Sequence, residues 1–237
     1  MNTLRKMLAF IKRDFCIHIS YRIAFIFEWI SILTKVTTFY FISKLVGQGV
    51  LPYLNEYQIG YFPFVLVGIA FSGYFNTALQ SFSSNIREEQ LLGTLEAMLV
   101  TPTKIPLIII GISIWDFLFT TITSIICLLF GALFFRADLS HMNLLASLLI
   151  LAMTIISFSS IGIISAAFIM VVKKGNPINW MISTFSGLFG GVFFPIEMFP
   201  KKLQFISYLL PITHSLKGLR HAILKGYSFK MLMPEIM

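Results

Sequence analysis

Long apolar stretches constrain this chain more than any other feature. Five of them, each with few charged side chains, lie at 23–46, 61–82, 105–134, 143–172 and 178–197. Each reaches the roughly 20 residues that an α-helix needs to cross about 30 Å of hydrocarbon. With 57% hydrophobic and 12% charged residues, the chain also has too little polar surface to coat a water-soluble globule. The sequence predicts an all-α integral membrane protein, 1–237, with five spans.

Basic residues predict how the spans are oriented. They lie at Arg5, Lys6, Lys12, Arg13 and Arg22 before the first span, at Arg87 and Lys104 before the third, and at Lys173 and Lys174 after the fourth. The loop 47–60 contains none. Because Lys and Arg are enriched in cytoplasmic loops, we expect a cytoplasmic N-terminus, with 83–104 and 173–177 inside. The net charge of +8 then indicates contact with lipid headgroups and no nucleic acid.

Residues 1–22 combine an apolar stripe with a basic face. This pattern predicts a helix that lies along the inner interface of the membrane. A basic leader that only sets the topology explains the same residues equally well. Both interpretations place the segment inside.

The loop 83–104 is helical in its periodicity. One stripe carries Leu91, Leu92, Leu95, Met98 and Leu99, and the acidic residues Glu88, Glu89 and Glu96 lie off it. Ser84 or Asn85 can cap the start, and Pro102 ends the pattern. We expect an amphipathic helix at 84–100 that turns its carboxylates to the cytoplasm. Such a helix either contacts a partner or only seals the inner face of the bundle.

Charged residues also fall well inside the predicted spans, at Glu28, Lys35 and Asp116. Each costs about 2.5–3.5 kcal/mol at a helix centre on insertion scales. We expect Lys35 and Asp116 to pair at mid-membrane. The pair then either belongs to a translocation path or dimer seam or, as we favour, only orients helices. Asn76 and Gln80 are interpreted as bonding neighbouring helices or lining the inner mouth.

The chain lacks the residue patterns of common catalytic sites. It has no Gly-Lys dipeptide and therefore no phosphate-cradling loop. Its four histidines form no His-x-x-x-His pair, and its two cysteines, Cys16 and Cys127, suggest neither a bridge nor a metal site. The sequence thus indicates no enzyme and no metal. A membrane-embedded enzyme or an ATPase-independent carrier remains the alternative function, although no internal repeat supports a carrier.

The last third of the chain is apolar but interrupted by proline. Phe194-Pro195 ends the fifth stretch, and Pro200 and Pro211 separate two pieces of about ten to fourteen residues, too short to span. Apolar faces lie at Leu203, Ile206 and Leu210, and at Leu216, Leu219 and Ile223; Lys217, Arg220 and Lys225 lie largely opposite the second face. The pattern predicts a re-entrant or interfacial hairpin at 200–226, preceded by glycines that permit bending.

Three segments of the chain, taken in order, resemble the membrane subunits of type-2 ATP-binding-cassette (ABC) exporters, which include drug, polysaccharide and nodulation-factor permeases. The segments are EEQLLGTLEAMLVTPTKIPLIIIG, FFPIEMFP and LLPITHSLKGLR. The resemblance extends to about Gly226. It implies that the loop helix docks on a separate ATPase, through Glu88, Glu89, Gly93, Thr94, Leu95 and Glu96. It also implies that the hairpin caps the exit, with Gly190, Gly191, Phe194, Pro195, Pro200, Pro211 and Arg220 at the outer gate.

The same resemblance implies the assembly. A second permease, an identical copy, would pair with this one, and two ABC ATPase subunits would carry ATP and Mg²⁺, so that this chain binds no cofactor. A prokaryotic inner or plasma membrane is the expected location. We expect a drug-like cargo in preference to a lipid-linked or polysaccharide one. Relatives usually have a sixth span after the hairpin, whereas only YSFKMLMPEIM follows Gly226 here, and we expect a truncated six-span subunit in preference to five spans with an external C-terminus.

Overall fold

Helices account for nearly all of the chain that the structure describes. A computed structural model describes residues 3–54, 60–172, 177–229 and 231–232, and these residues contain no strand. The helices are α1 (Thr3–Ser20), α2 (Arg22–Val50), α3 (Tyr61–Leu92), α4 (Thr94–Leu99), α5 (Ile105–Phe135), α6 (Leu144–Val172), α7 (Pro177–Phe189), α8 (Lys201–Leu209) and α9 (Pro211–Leu224). Short 3-10 turns follow α2 at Leu51–Leu54 and precede α8 at Ile196–Met198.

Four of the described helices are long and apolar enough to cross a membrane. They supply the segments Arg22–Val46, Tyr61–Leu92, Ile105–Phe135 and Leu144–Phe168. The prediction of an all-α integral membrane protein is confirmed. In the apolar window of α3 61% of residues are buried, against 6% in that of α2. The bundle is therefore built around α3, which packs along both α5 and α6, whereas α2 leaves most of its surface uncovered.

Different chemistry joins α3 to its two neighbours. Hydroxyls line the seam with α5, where Thr77 and Thr120 share a hydrogen bond of 2.7 Å and Ser124 donates to the carbonyl of Ala70 at 2.7 Å. At the contact with α6 the two helix backbones lie very close together, since a Cβ atom on Gly162 would lie 2.4 Å from the Ala78 carbonyl oxygen. Small residues allow such close backbone approach between membrane helices.

The predicted fifth span, 178–197, is wrong in its extent. α7 ends at Phe189 and has 13 residues, so the helix covers about 20 Å, less than the hydrocarbon core. It stops because Gly191 adopts the left-handed region, with φ of 72°, which apolar patterning does not reveal. The loop that carries Lys173 and Lys174 lies outside the described residues.

The predicted separate helix at 84–100 is also not observed. α3 continues through this region to Leu92, because Asn85 turns its side chain toward α5 instead of capping a new helix. The chain bends only at Gly93, whose φ is 70°, and α4 follows. This non-helical φ suits glycine, which has no Cβ to clash. We call residues 88–100, from the last turn of α3 to the end of α4, the elbow.

The two short helices α8 and α9 start at the prolines that punctuate the sequence, Lys201 following Pro200 and α9 beginning at Pro211. α9 packs on α3 and α6, and ten of its 14 residues are buried. The expectation that Arg220 lies opposite the apolar face is wrong: its exposure is 3%. Burial is possible because the carbonyl oxygens of Phe64 and Val192 accept hydrogen bonds from the guanidinium.

Candidate functional site

The helix α1 lies against the same end of the bundle as the elbow. The Lys6 ammonium donates to Thr103 Oγ1 at 2.7 Å and to the Pro102 carbonyl at 3.3 Å. Further along α1, Phe10 covers α5 so closely that a Cβ atom on Gly111 would lie 2.5 Å from Phe10 Cδ2. Apolar and polar contacts thus hold α1 across the start of α5, just after the elbow.

Glu89 connects α1 to the elbow. Its carboxylate forms an ion pair with Arg13, with Nη1 to Oε1 at 2.7 Å, and accepts a hydrogen bond from the Thr94 hydroxyl. Glu89 is 7% exposed. The prediction that all three acidic residues face the aqueous side is therefore wrong for Glu89. A buried carboxylate needs a charged or hydrogen-bonding partner, and Arg13, 76 positions away, supplies it.

The elbow presents a mixed apolar and acidic surface. Leu91, Leu92 and Val100 are 77%, 68% and 87% exposed. Of the six residues assigned to the coupling surface, Glu88, Gly93, Thr94 and Glu96 are exposed, while Glu89 and Leu95 are buried. Of the predicted leucine stripe, only Leu95 packs fully into the bundle, against Phe82 and Ile108.

Asp14 adds a second carboxylate beside Arg13. Its Oδ1 accepts from Arg13 Nε at 2.7 Å. Burial raises the pKa of Asp14 above its usual value, and the nearby carboxylates of Asp116 and Glu89 act in the same direction, against the lowering effect of Arg13. The Arg13 guanidinium therefore bridges two acids at the junction of α1 and α3.

Asp116 lies one layer deeper, between α5 and α3. It accepts hydrogen bonds from Ser81 Oγ at 2.5 Å and from Asn85 Nδ2 at 2.8 Å. The described residues contain no ion pair between Lys35 and Asp116, so the prediction of that pair is wrong. Ser81 and Asn85 lie one turn apart on α3, and their side chains donate the hydrogen bonds that Asp116 accepts. Lys35 instead lines a smaller cavity beside Cys127.

A cavity of about 490 Å³, lined by both polar and apolar side chains, opens between α1, α2, α3 and α5. It is lined by His18, Glu28, Ser31, Ile32, Gly73, Asn76, Thr77, Gln80, Ser81, Ser84, Trp115, Asp116, Phe119, Thr120 and Thr123. Glu28 faces His18 here, with Oε2 to Nε2 at 3.3 Å. Glu28 and Asp116, two charged residues of the predicted spans, thus line one cavity.

Sequence reasoning missed this cavity although a signal for it exists. The α3 residues that line it recur at intervals of three and four: Gly73, Asn76, Thr77, Gln80, Ser81 and Ser84. This is one helical face. The interpretation of Asn76 as a helix-to-helix bond agrees with its contact, since its Oδ1 accepts from Ser183 of α7 at 2.7 Å. The continuity of the polar stripe, more than either amide alone, marks the cavity.

Arg220 dominates the opposite end of the bundle. Its Nε donates to the Phe64 carbonyl at 3.2 Å and its Nη2 to the Val192 carbonyl at 3.0 Å, while the guanidinium lies 3.5 Å from the centre of the Phe64 ring. Of the other residues assigned to the outer gate, Gly190, Gly191 and Pro195 are buried, close to Val192 in the sequence, while Phe194, Pro200 and Pro211 are exposed. Arg220 thus joins α9, α3 and the segment after α7.

Comparison with known proteins assigns this helical bundle to a family. A search of curated proteins finds no match to the chain. A family model, that of the ABC-2 type transporter, matches residues 6–224, which covers most of the 237 residues, including α1, the elbow and α9. Members are non-catalytic membrane subunits that work with an ABC ATPase. The chain therefore belongs to the ABC-2 type transporter family and is a multi-pass membrane subunit of a transporter.

Proposed function

We propose that the chain is the permease subunit of an ATP-driven exporter. It pairs with an identical copy and with two ABC ATPase subunits, which carry ATP and Mg²⁺. The complex lies in the inner or plasma membrane, with the N-terminus and the elbow on the cytoplasmic side. The exposed surface of the elbow is the observation that carries this proposal.

The elbow has the composition of a docking surface. Leu91, Leu92 and Val100 are largely exposed, and Glu88 and Glu96 lie beside them. Scattered exposed apolar residues are ordinary, but a grouped patch with a polar rim is typical of protein contacts. Two carboxylates at the rim favour a partner surface with basic character. Gly93 leaves open space at its Cα, since a Cβ atom there would meet nothing within 4 Å, so a partner's backbone can approach it closely.

The geometry of α3 supports direct transmission from this surface. α3 is one unbroken helix of 32 residues, about 48 Å long, from the elbow to Tyr61. At its elbow end Glu89 holds Arg13 of α1, and near its other end the Phe64 carbonyl accepts from Arg220 of α9. A push on the elbow therefore acts on a rod that contacts α1 at one end and the hairpin at the other.

The uncovered surface of α2 supports assembly with a second copy. Only 6% of its apolar window is buried within one chain, and Phe27, Phe41 and Leu45 are exposed on it. Lipid or a second permease covers such a face in a membrane. In the proposed exporter the pathway runs between the two copies. A drug-like cargo is our first choice over a lipid-linked or polysaccharide one.

Co-purification tests the docking surface. The tagged chain is co-expressed with the candidate ABC ATPases of its own genome and purified in detergent. The double reversal Glu88→Lys plus Glu96→Lys is chosen because both side chains are exposed and neither bonds within the described residues. Glu89 is avoided, since reversing it would break the pair with Arg13.

The matched control is Glu197→Lys, an exposed carboxylate in the 3-10 turn at the hairpin end. We expect wild type and Glu197→Lys to retain the ATPase and the double reversal to release it, with the same gel-filtration profile for all three. If the double-reversal variant still retains the ATPase, the elbow is not the docking surface. A wild-type chain that binds none of the ATPases would contradict the exporter itself.

A further inference from the structure

The cavity between α1, α2, α3 and α5 carries an excess of negative charge. Among the described residues, Glu28 forms one ion pair, with His18 at 3.3 Å. Asp116 receives only the neutral donors Ser81 and Asn85, and no cationic group in the described part of the chain pairs with it. Even with His18 protonated, the cavity therefore holds two carboxylates and one cation.

The charged groups around the cavity do not reverse this balance. Lys35 lines an adjoining cavity of about 160 Å³, which shares Gly73 and Asn76 with the larger one. The nearby guanidinium of Arg13 is already engaged by Asp14 and Glu89. Taking both cavities and this cluster together, four carboxylates face two permanent cations. Such an excess of negative charge attracts a mobile cation.

Aromatic side chains line the cavity beside the carboxylates. Trp115 and Phe119 line it, with ring centroids 6.2 Å apart, and the His18 ring packs edge-on against both. Aromatic faces attract organic cations through their quadrupole. The α3 stripe adds hydroxyl and amide groups on the facing side, of which Gln80 and Ser84 are exposed to the cavity.

We propose that this cavity binds an organic cation with an aromatic or otherwise apolar body, and that such cations are the cargo class of the exporter. The volume of about 490 Å³ lies within the range of sites for drug-sized ligands. Glu28 and Asp116 supply the charge, Trp115 and Phe119 contact the apolar body, and the α3 stripe contacts polar substituents. The identification as cargo rests on the proposed function, whereas the binding itself is a property of this chain alone.

Equilibrium binding of radiolabelled tetraphenylphosphonium to the purified chain in detergent tests the site. Tetraphenylborate, of nearly the same shape and opposite charge, separates cation recognition from partition into apolar surface. We expect the wild type to bind the phosphonium more tightly than the borate. Glu28→Gln and Asp116→Asn should each lower the affinity for tetraphenylphosphonium about tenfold. The difference in affinity between the two probes should become smaller.

The matched control is Asp138→Asn, an exposed carboxylate in the loop between α5 and α6 that lies outside the cavity, and we expect it to bind like the wild type. Glu28→Gln is the safer cavity variant, because the Glu28 side chain is 46% exposed and forms a single ion pair within the part of the chain that the structure describes. Equal affinity for both probes in the wild type would overturn the proposal, as would unchanged phosphonium affinity in folded Glu28→Gln.

The assay contains no ATPase, so its outcome is independent of the docking test. Loss of cation binding with normal ATPase docking would overturn only the cargo class. Normal cation binding with no ATPase docking would overturn the exporter and leave the site.

Discussion

The elbow end and the hairpin end of the bundle are built in opposite ways. At the elbow end, a few polar contacts fasten α1, among them the pair of Arg13 with Glu89 and the bond from Lys6 to Thr103, and a leucine-rich surface stays exposed. At the hairpin end, α9 is mostly buried against α3 and α6, and its one deeply buried cation, Arg220, binds two backbone carbonyls.

This contrast indicates which end of the bundle can change conformation more readily. An ion pair with one partly exposed partner, such as Arg13 with the buried Glu89, is screened by water and contributes modestly. A buried, carbonyl-bound guanidinium within a packed interface resists displacement. We therefore expect the elbow end to adjust when a partner binds and the hairpin end to move as a unit with α3. We then expect the hairpin at 200–226, predicted to form the outer gate, to act as a rigid unit and not as a mobile segment.

The largest effect should come from Arg220→Met. The change removes the donor to the Phe64 and Val192 carbonyls while retaining an apolar side chain of similar length. We expect the free energy of unfolding to fall by about 3 kcal/mol, because charge-assisted hydrogen bonds in buried sites are worth more than neutral ones. Unfolding in mixed micelles titrated with SDS measures it. Arg5→Met, on the exposed face of α1, is the control. A loss below about 1 kcal/mol would mean that the hairpin end is held by apolar packing alone.

A pair of glycines provides the second test. A Cβ atom on Gly68 would lie 2.2 Å from the Val192 carbonyl oxygen, whereas one on Gly93 would meet nothing within 4 Å and suffer only from its φ of 70°. We expect Gly68→Ala to cost about 2 kcal/mol by overpacking and Gly93→Ala about 1 kcal/mol by backbone strain. Thermal unfolding in detergent compares the two. The reverse order would show that the elbow is the more tightly specified end.

Glu89→Gln tests how firmly α1 is held. It removes the charge opposite Arg13 but keeps the shape of the side chain. We expect a loss of about 1 kcal/mol, modest because Arg13 is 36% exposed, together with faster hydrogen exchange in α1. Glu88→Gln, one residue earlier and exposed, is the control and should leave α1 unchanged. Unaltered exchange in Glu89→Gln would mean that Phe10 and Lys6 suffice to hold α1.

The smallest effect concerns pH. Burial raises the pKa of Asp14 in the folded protein, so its contribution to stability is complete below its unfolded pKa and is lost as pH rises through the folded pKa. Asp14→Asn should therefore slightly raise the unfolding midpoint at pH 7, with the gain fading as pH falls toward about 4. Unfolding midpoints across this range measure it.

Asp138→Asn is the control of opposite sign. Hydrogen bonds from Ser140 lower the pKa of Asp138, so its contribution is present above the unfolded pKa and lost as pH falls. A destabilised Asp14→Asn at pH 7 would show that the contact with Arg13 outweighs burial.

The sequence predicted the all-α membrane class correctly and the contacts between helices poorly, for physical reasons. Apolar length determines whether a helix can cross hydrocarbon, and this is readable at 61–82 or 105–134 without any neighbour. The burial of Glu89 depends on Arg13, far away in the sequence, and the end of α7 depends on the backbone angle of Gly191. Helical periodicity shows which residues share a face but not which neighbour covers it.

The candidate sites show the same limit. Glu28, Lys35 and Asp116 stood out because charges are rare in spans, but pairing Lys35 with Asp116 ignored the nearer donors on α3. The assignment of the coupling residues came from a family resemblance. Some of them are exposed, but Glu89 and Leu95 are buried. The cavity required the combined faces of four helices, which no single segment reveals.

The buried Arg220 also bears on how the chain is assembled during synthesis. A helix that carries Arg220, Lys217 and His221 gains little from lipid on its own, since a cation at mid-bilayer costs about 2.5–3.5 kcal/mol on insertion scales. The carbonyls that accept from Arg220 belong to α3 and to the segment after α7, both of which precede α9 in the chain. α9 can therefore dock through this contact only after α3 and the segment after α7 are in place.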